Sequence, residues 1–174
     1  MESKENEALQ AKTVLNDRYV ILYQIGQGSY SKVYIGLDSS SPDKLVAIKT
    51  EQATEENNSD SSLAYDVEFL KIAQDIVGIP KYFGKGYSAN LNIEYIVTEV
   101  IGPSIGDLLK FCGGKFTLKT TLMLFFQLIT RFEGLHSKGI VHCDIKPENI
   151  LMGMGKTSHI AYLIDFGVSN YFLN

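Results

Sequence analysis

The chain has 174 residues, a formal net charge of −4 and two cysteines, Cys112 and Cys143. That balance offers no basic face for nucleic acid, and two cysteines are too few for a disulfide framework. The first ten residues are charged and polar, without the apolar stretch of a signal peptide, and the most apolar run, Leu122–Ile129, is broken by Gln127 and far too short to span a bilayer. The expectation is a soluble intracellular protein of the cytoplasm, the nucleus or both, with no nucleic-acid or membrane partner. Its length suits one domain or part of a larger one.

Residues 1–16 read as a polar tail leading to an ordered start near Asn16. Three β-rich runs follow. Tyr19–Ile25 ends at Gly26-Gln27-Gly28, Lys32–Gly36 comes next, and Leu45–Lys49 follows a Ser-Ser-Ser-Pro-Asp turn at 39–43. Glu51–Ser62 is acidic, rich in Ser and Asn, and nearly free of apolar residues, so it reads as a solvated connector. Leu63–Gln74 carries apolar residues at close to helical spacing, and Gly78-Ile79-Pro80 supplies the stop. Two more strands are expected near Lys81–Tyr87 and Ile93–Val100. Ser104 is placed to cap a short helix, Ile105–Cys112, which Gly113-Gly114 ends. Thr117–Ser137 is the longest helical segment. Its apolar positions 118, 122, 125, 126, 129, 132 and 135 form one stripe, which predicts that Phe125, Phe126 and Phe132 are core residues. Ile150–Met152 and Ile160–Ile164 can pair as a hairpin that presents Asp165 at its end.

Chemistry concentrates in His142-Cys143-Asp144-Ile145-Lys146-Pro147-Glu148-Asn149 and in Asp165-Phe166-Gly167. A carboxylate and a carboxamide five residues apart on one loop, with a second carboxylate downstream, are the parts phosphoryl transfer needs: a base for the acceptor hydroxyl and ligands for Mg²⁺. Asp144 is the candidate base, Lys146 the cation beside the transferred group, and Asn149 and Asp165 the metal ligands. Upstream, Gly26-Gln27-Gly28-Ser29-Tyr30-Ser31-Lys32-Val33 lies between two strands, where glycines let backbone N–H groups approach phosphate. Alone, two glycines in a hairpin are ordinary turn chemistry. Lys49 ends the apolar run Val46-Ala47-Ile48, and following a Gly-rich hairpin it becomes a candidate for the α- and β-phosphates. Such a lysine wants a carboxylate from the next helix, and Asp66 and Glu68 compete for that role. His142 reads as structural, its ring packed under the loop. His136, His159 and Cys143 have no partner at metal-ligand spacing.

Taken together these motifs resemble the protein kinase family, over about Val14 to Asn174. The resemblance narrows to casein kinase 1 through Val77-Gly78-Ile79-Pro80, Gly102-Pro103-Ser104, Phe116–Leu124, His136-Ser137-Lys138 and Asn149-Ile150-Leu151-Met152-Gly153, and through the long separation of sixteen positions from Asn149 to Asp165. It implies an α+β, kinase-like fold, with an N-lobe over 17–101 and the first part of a helical C-lobe over 102–174. It further implies that Ile25 and Val33 cover an adenine, with Ala47 above and Leu151 below, that Thr98 is the gatekeeper, and that Glu99 and Ile101 offer hinge backbone groups. Asp66 best matches the family's αC glutamate and is one methylene shorter. Ser31 replaces the third glycine, and Cys143 replaces the arginine of His-Arg-Asp, which disfavours activation gated by loop phosphorylation. Lys146 after Asp144 resembles serine/threonine rather than tyrosine kinases.

The resemblance thus implies a serine/threonine protein kinase of casein kinase 1 type, using ATP and Mg²⁺ on a protein hydroxyl. Since only seven residues follow Gly167, the sequence also reads as an incomplete catalytic domain lacking the family's activation segment and peptide-docking surface. The competing expectation is a non-catalytic ATP-binding module or a fragment whose Thr117–Ser137 stripe is left open to a partner.

Overall fold

The computed structural model describes residues 9–28, 30–53 and 62–172. The tip of the Gly-rich turn at Ser29, most of the expected acidic connector and residues 1–8 of the expected tail lie outside them. The chain divides into two compact units, Met1–Leu63 with Tyr82–Val100, and Ala64–Lys81 with Ile101–Asn174.

The first unit is a six-stranded sheet of β1 (Val14–Leu15), β2 (Tyr19–Gln27), β3 (Ser31–Asp38), β4 (Ser41–Gln52), β5 (Tyr82–Ser88) and β6 (Ile93–Glu99). The order is β1-β2-β3-β4-β6-β5, antiparallel throughout. β-branched and aromatic residues at alternate positions explain the strands, because a period of two sends them to one face. Tyr19, Ile21, Tyr34, Val46, Ile48, Tyr95 and Val97 so form one buried cluster, joined by Leu15 and Ile93. Regular structure begins before the expected start at Asn16: Leu15 is fully buried, and the backbone at Lys12 and Thr13 bonds to Ile21.

The turn expected over 39–43 is tighter in the structure, with β4 starting at Ser41. Asp38 is the reason. Its buried carboxylate accepts from Arg18 Nε and Nη2, both at 2.9 Å, and from the Ser40 N–H and hydroxyl. Gly36 has no room for a side chain, since a Cβ there would stand 2.8 Å from Val20 O and 2.7 Å from Ile48 Cδ1.

The second unit holds nearly all of α1 (Ser62–Ile72), then α2 (Ile105–Phe111), α3 (Leu118–Ser137), β7 (Ile140–Val141), β8 (Ile150–Met152), β9 (Ala161–Leu163) and β10 (Asn170–Tyr171). Ser104 and Thr117 cap α2 and α3 through side-chain oxygens that accept from Asp107 N and Thr120 N. The hairpin β8–β9 forms as expected, and β10 pairs with β7. Buried side chains include Val67, Phe69, Leu70, Leu135, Ile140, Leu163 and Phe166.

The α3 stripe departs from expectation. Phe125 and Phe126 are 54% and 67% exposed, and Leu118, Leu122 and Ile129 are exposed as well, whereas Phe132 is half-buried and Leu135 fully buried. The helix is seated by its C-terminal half and by polar residues. Arg131, itself buried, donates from Nε to Ala161 O and from Nη1 to Gln127 O, and Gln127 Oε1 accepts from Ala161 N at 2.9 Å. Among the described residues no helix is long and apolar enough to cross a membrane.

Candidate functional site

In the first unit, strand alternation sorts the expected nucleotide-binding residues onto one side. Val33 pairs with Lys49, and Ala47 pairs with Thr98. These four occupy the sheet face opposite to Tyr34, Val46, Ile48 and Val97, which fill the core. Gly26 pairs with Val33 at the turn end of the β2–β3 hairpin, Gly28 N donates to Ser31 O at 2.8 Å, and Ile25 is half exposed beside a bulge in β2. Glu99 pairs with Val46 at the end of β6 and its carbonyl accepts from Thr98 Oγ1 at 3.4 Å. Lys49 is half-buried in mid-sheet, paired also with Ile96.

In the second unit, α3 leads through Gly139 and β7 into the loop from His142 to Asn149. His142 is buried, with its ring edge-on to Phe166 at 5.0 Å. Nδ1 accepts the Asp144 N–H at 3.3 Å, so Nε2, 2.9 Å from Ile164 O, carries the proton and donates. Burial holds this imidazole below its ordinary pKa, against the pull of that bond to Ile164. His142 is thus a neutral strut, as its expected structural role requires. Cys143, at φ +65°, turns the chain so that Asp144 follows in position for this bond.

Asp144 is the centre of the loop. Its Oδ2 accepts from Lys146 Nζ at 2.6 Å and from Asn149 Nδ2 at 2.8 Å, while Nδ2 also donates to Asp144 O at 2.9 Å. The Lys146 ammonium, helped by Asn149, holds the Asp144 carboxyl below the usual carboxylate range, and the same bond raises Lys146. Pro147 opens the 3₁₀ turn Pro147–Asn149, whose tightness brings Asn149 back over Asp144.

The hairpin then carries the geometry to Asp165. Ile164 N donates to Asn149 O at 3.0 Å and Ile150 pairs with Leu163, so Asp165 follows directly from a residue bonded to Asn149. Asp165 has φ +68°, a left-handed backbone that a non-glycine residue adopts at a cost of about 1–2 kcal/mol. Its neighbours hold it there. Phe166 is fully buried, and its N–H donates to Asp66 Oδ1 at 2.5 Å. Ser169, buried, donates from Oγ to His142 O and from N to Phe166 O. Asp66, the expected partner of Lys49, is buried in the second unit and accepts this bond from Phe166. Leu151 is half-buried and bridges to Ser104, and Ile101 lies at the start of the same stretch.

Asn149 and Asp165 fit Mg²⁺. Both Asn149 hydrogen bonds run from Nδ2, which fixes the carboxamide and leaves Oδ1 as its ligand atom. Among the described residues no group of three or more His, Cys, Asp or Glu forms a metal cage. One carboxylate and one amide oxygen, completed by phosphate oxygens and water, is the donor set magnesium takes beside nucleotides.

Sequence reading singled out Asp144, Lys146, Asn149 and Asp165, and the structure brings the first three into one bonded cluster. It missed Ser169, Gln127 and Arg131, which set the position of that cluster. A serine two residues past Gly167 and an arginine inside an apolar helix are the signals it passed over.

A model of the protein kinase domain matches residues 19–174. That span takes in the sheet with Lys49, the loop with Asp144 and the hairpin with Asp165. The curled antiparallel sheet and the three helices agree with the same family's N-lobe and the first part of its C-lobe. This chain belongs to the protein kinase domain family.

Proposed function

We propose that the protein transfers the γ-phosphoryl group of ATP to a serine or threonine hydroxyl of a protein substrate, as a kinase of casein kinase 1 type. The bonded cluster of Asp144, Lys146 and Asn149 carries this reading. Asp144, kept ionised by Lys146, orients the acceptor hydroxyl and takes its proton as the oxygen bonds to phosphorus. Its lowered pKa makes it a director of the hydroxyl more than a strong base. Lys146 donates to the transferred phosphoryl oxygens and offsets their charge. Val33, Ala47, Thr98 and Leu151 frame the adenine with Ile25, while Glu99 and Ile101 give it backbone groups. Gly26 and Gly28, lacking side chains, let the backbone of the β2–β3 turn come close to the phosphates, Lys49 binds the α- and β-phosphates, and Asp66 is its carboxylate partner. Asn149 and Asp165 would hold Mg²⁺, which would supply neutralisation of the charge on the phosphates during transfer. Serine/threonine preference rests on Lys146 two residues after Asp144, and the casein kinase 1 type on the flanking motifs.

A second reading is an ATP-binding module without transfer: Asp66 is one methylene shorter than the family's glutamate at that position. Both readings are tested by incubating the protein with labelled ATP, Mg²⁺ and a peptide mixture bearing Ser, Thr or Tyr acceptors. Label on Ser and Thr peptides supports the first. Stabilisation by Mg·ATP without labelled peptide supports the second, and label confined to Tyr peptides contradicts the assigned acceptor class.

A further inference from the structure

The hydroxyl of Tyr171 donates to Glu68 Oε1 at 2.8 Å, joining residues 103 positions apart. Glu68, which competed with Asp66 in the sequence, lies on a different side of α1 from Asp66. Tyr171 is otherwise well anchored. Its backbone pairs with Ile140, four residues before Asp144, and Phe172 N donates to Gly139 O at 3.0 Å. The Tyr171 ring meets Phe69 at 5.1 Å, and Phe69 is buried and stacked on Tyr65. The segment after Asp165 therefore grips α1 at two places: Asp66 with the Phe166 N–H, and Glu68 and Phe69 with Tyr171.

We propose that the Tyr171–Glu68 pair is a positioning latch that holds α1 at the distance Asp66 needs to keep the Phe166 N–H, and so fixes the turn presenting Asp165. The short Asp66 side chain makes the device necessary. An aspartate has one side-chain carbon fewer than a glutamate with which to follow a moving helix, so a small retreat of α1 breaks its bond to Phe166. Asp66 and Phe69 stand three residues apart on one helix face, which the Phe69–Tyr171 ring contact ties to the segment after Asp165, and Glu68 holds Tyr171 from another side of the helix. Asp165 sits in a left-handed backbone that its surroundings must maintain. Tyr171 and Glu68 are positioning residues: their side chains act on the turn through α1. The metal-binding consequence rests on the phosphotransfer reading, whereas the mechanical coupling does not.

The test compares Tyr171→Phe, which keeps the ring on Phe69 and removes the donor, with Glu68→Ala, Glu68→Gln and the Tyr171→Phe/Glu68→Ala double variant. Hydrogen exchange at the Phe166 amide is read in the whole chain. Each of the first two variants speeds it about tenfold, within the usual range of coupling between sites. The double variant adds no more, because the two changes remove one bond. Glu68→Gln, which keeps an acceptor oxygen, stays near wild type. Exchange at Phe166 within twofold of wild type in Tyr171→Phe overturns the latch. So does acceleration spread evenly over all amides of the second unit, which is general destabilisation. In the phosphotransfer assay, Tyr171→Phe raises the Mg²⁺ concentration giving half-maximal rate and leaves KM for peptide unchanged. A wild-type chain that shows the exchange coupling but transfers no phosphoryl sinks the proposed function and leaves the latch standing.

Discussion

His142 makes a buried imidazole an instrument for reading the state of the loop. Nδ1 accepts from Asp144 N and Nε2 donates to Ile164 O, so the ring works only when neutral. Its folded pKa lies below the ordinary imidazole value of 6.5 because burial disfavours the cation. As pH falls, the unfolded chain therefore takes up its proton first. The stability associated with His142 is present above pH 6.5 and is lost as pH drops from there toward the folded pKa, then levels off. Urea unfolding of wild type should lose stability from this group between neutral and mildly acidic pH, and His142→Gln should lack that loss. Equal pH dependence in the two proteins would contradict the assignment. The loop residues were legible in sequence because a carboxylate, a lysine and a carboxamide at fixed spacing have few other uses together. The roles of Asp66 and Ser169 were not. Both act through backbone groups of Phe166 and His142, and such bonds depend on chain path rather than on residue type.

At the scale of elements, α3 and the β8–β9 hairpin form one clamp around Gly78. Gly78 O accepts from Leu163 N at 2.8 Å, and Arg131 and Gln127 bond the Ala161 peptide from the other side. Gly78 has φ +87°, and a Cβ there would stand 2.4 Å from Ala161 O and 2.6 Å from Arg131 Nε. Gly78→Ala combines backbone strain with overpacking and should cost about 2–4 kcal/mol. Gly155, at φ +56° with open space around it, isolates the strain alone, and Gly155→Ala should cost only about 1–2 kcal/mol. Denaturant unfolding of the two variants checks this, and equal losses would show that the clamp does not close on Gly78. Element positions followed well from periodicity and from the caps at Ser104 and Thr117. What periodicity did not give was the partner of each face. The stripe on α3 was correctly seen as apolar, yet Phe125 and Phe126 are exposed, because the helix is seated by Leu135, Arg131 and Gln127. An amphipathic pattern reports that a face is apolar, not what lies against it.

For the whole molecule, family membership came within reach of sequence because the motifs are many and occur in order, and the kinase domain match spans residues 19–174. The grouping of elements was harder. Helix α1, expected with the N-terminal strands, shares its packing with the second unit, where Asp66 bonds Phe166 and Glu68 bonds Tyr171. A helix joining two chain segments can pack with either, and local sequence does not choose. The central claim is that Asp144 directs phosphoryl transfer, and single-turnover transfer from γ-labelled ATP tests it most directly. Wild type and Asp144→Asn are compared at saturating Mg·ATP with a Ser/Thr peptide mixture. The asparagine cannot take the hydroxyl proton, so wild type should label peptide and the variant should be slower by about 10²–10⁴-fold, with Mg·ATP stabilising both against unfolding. Undiminished transfer by Asp144→Asn would contradict the account.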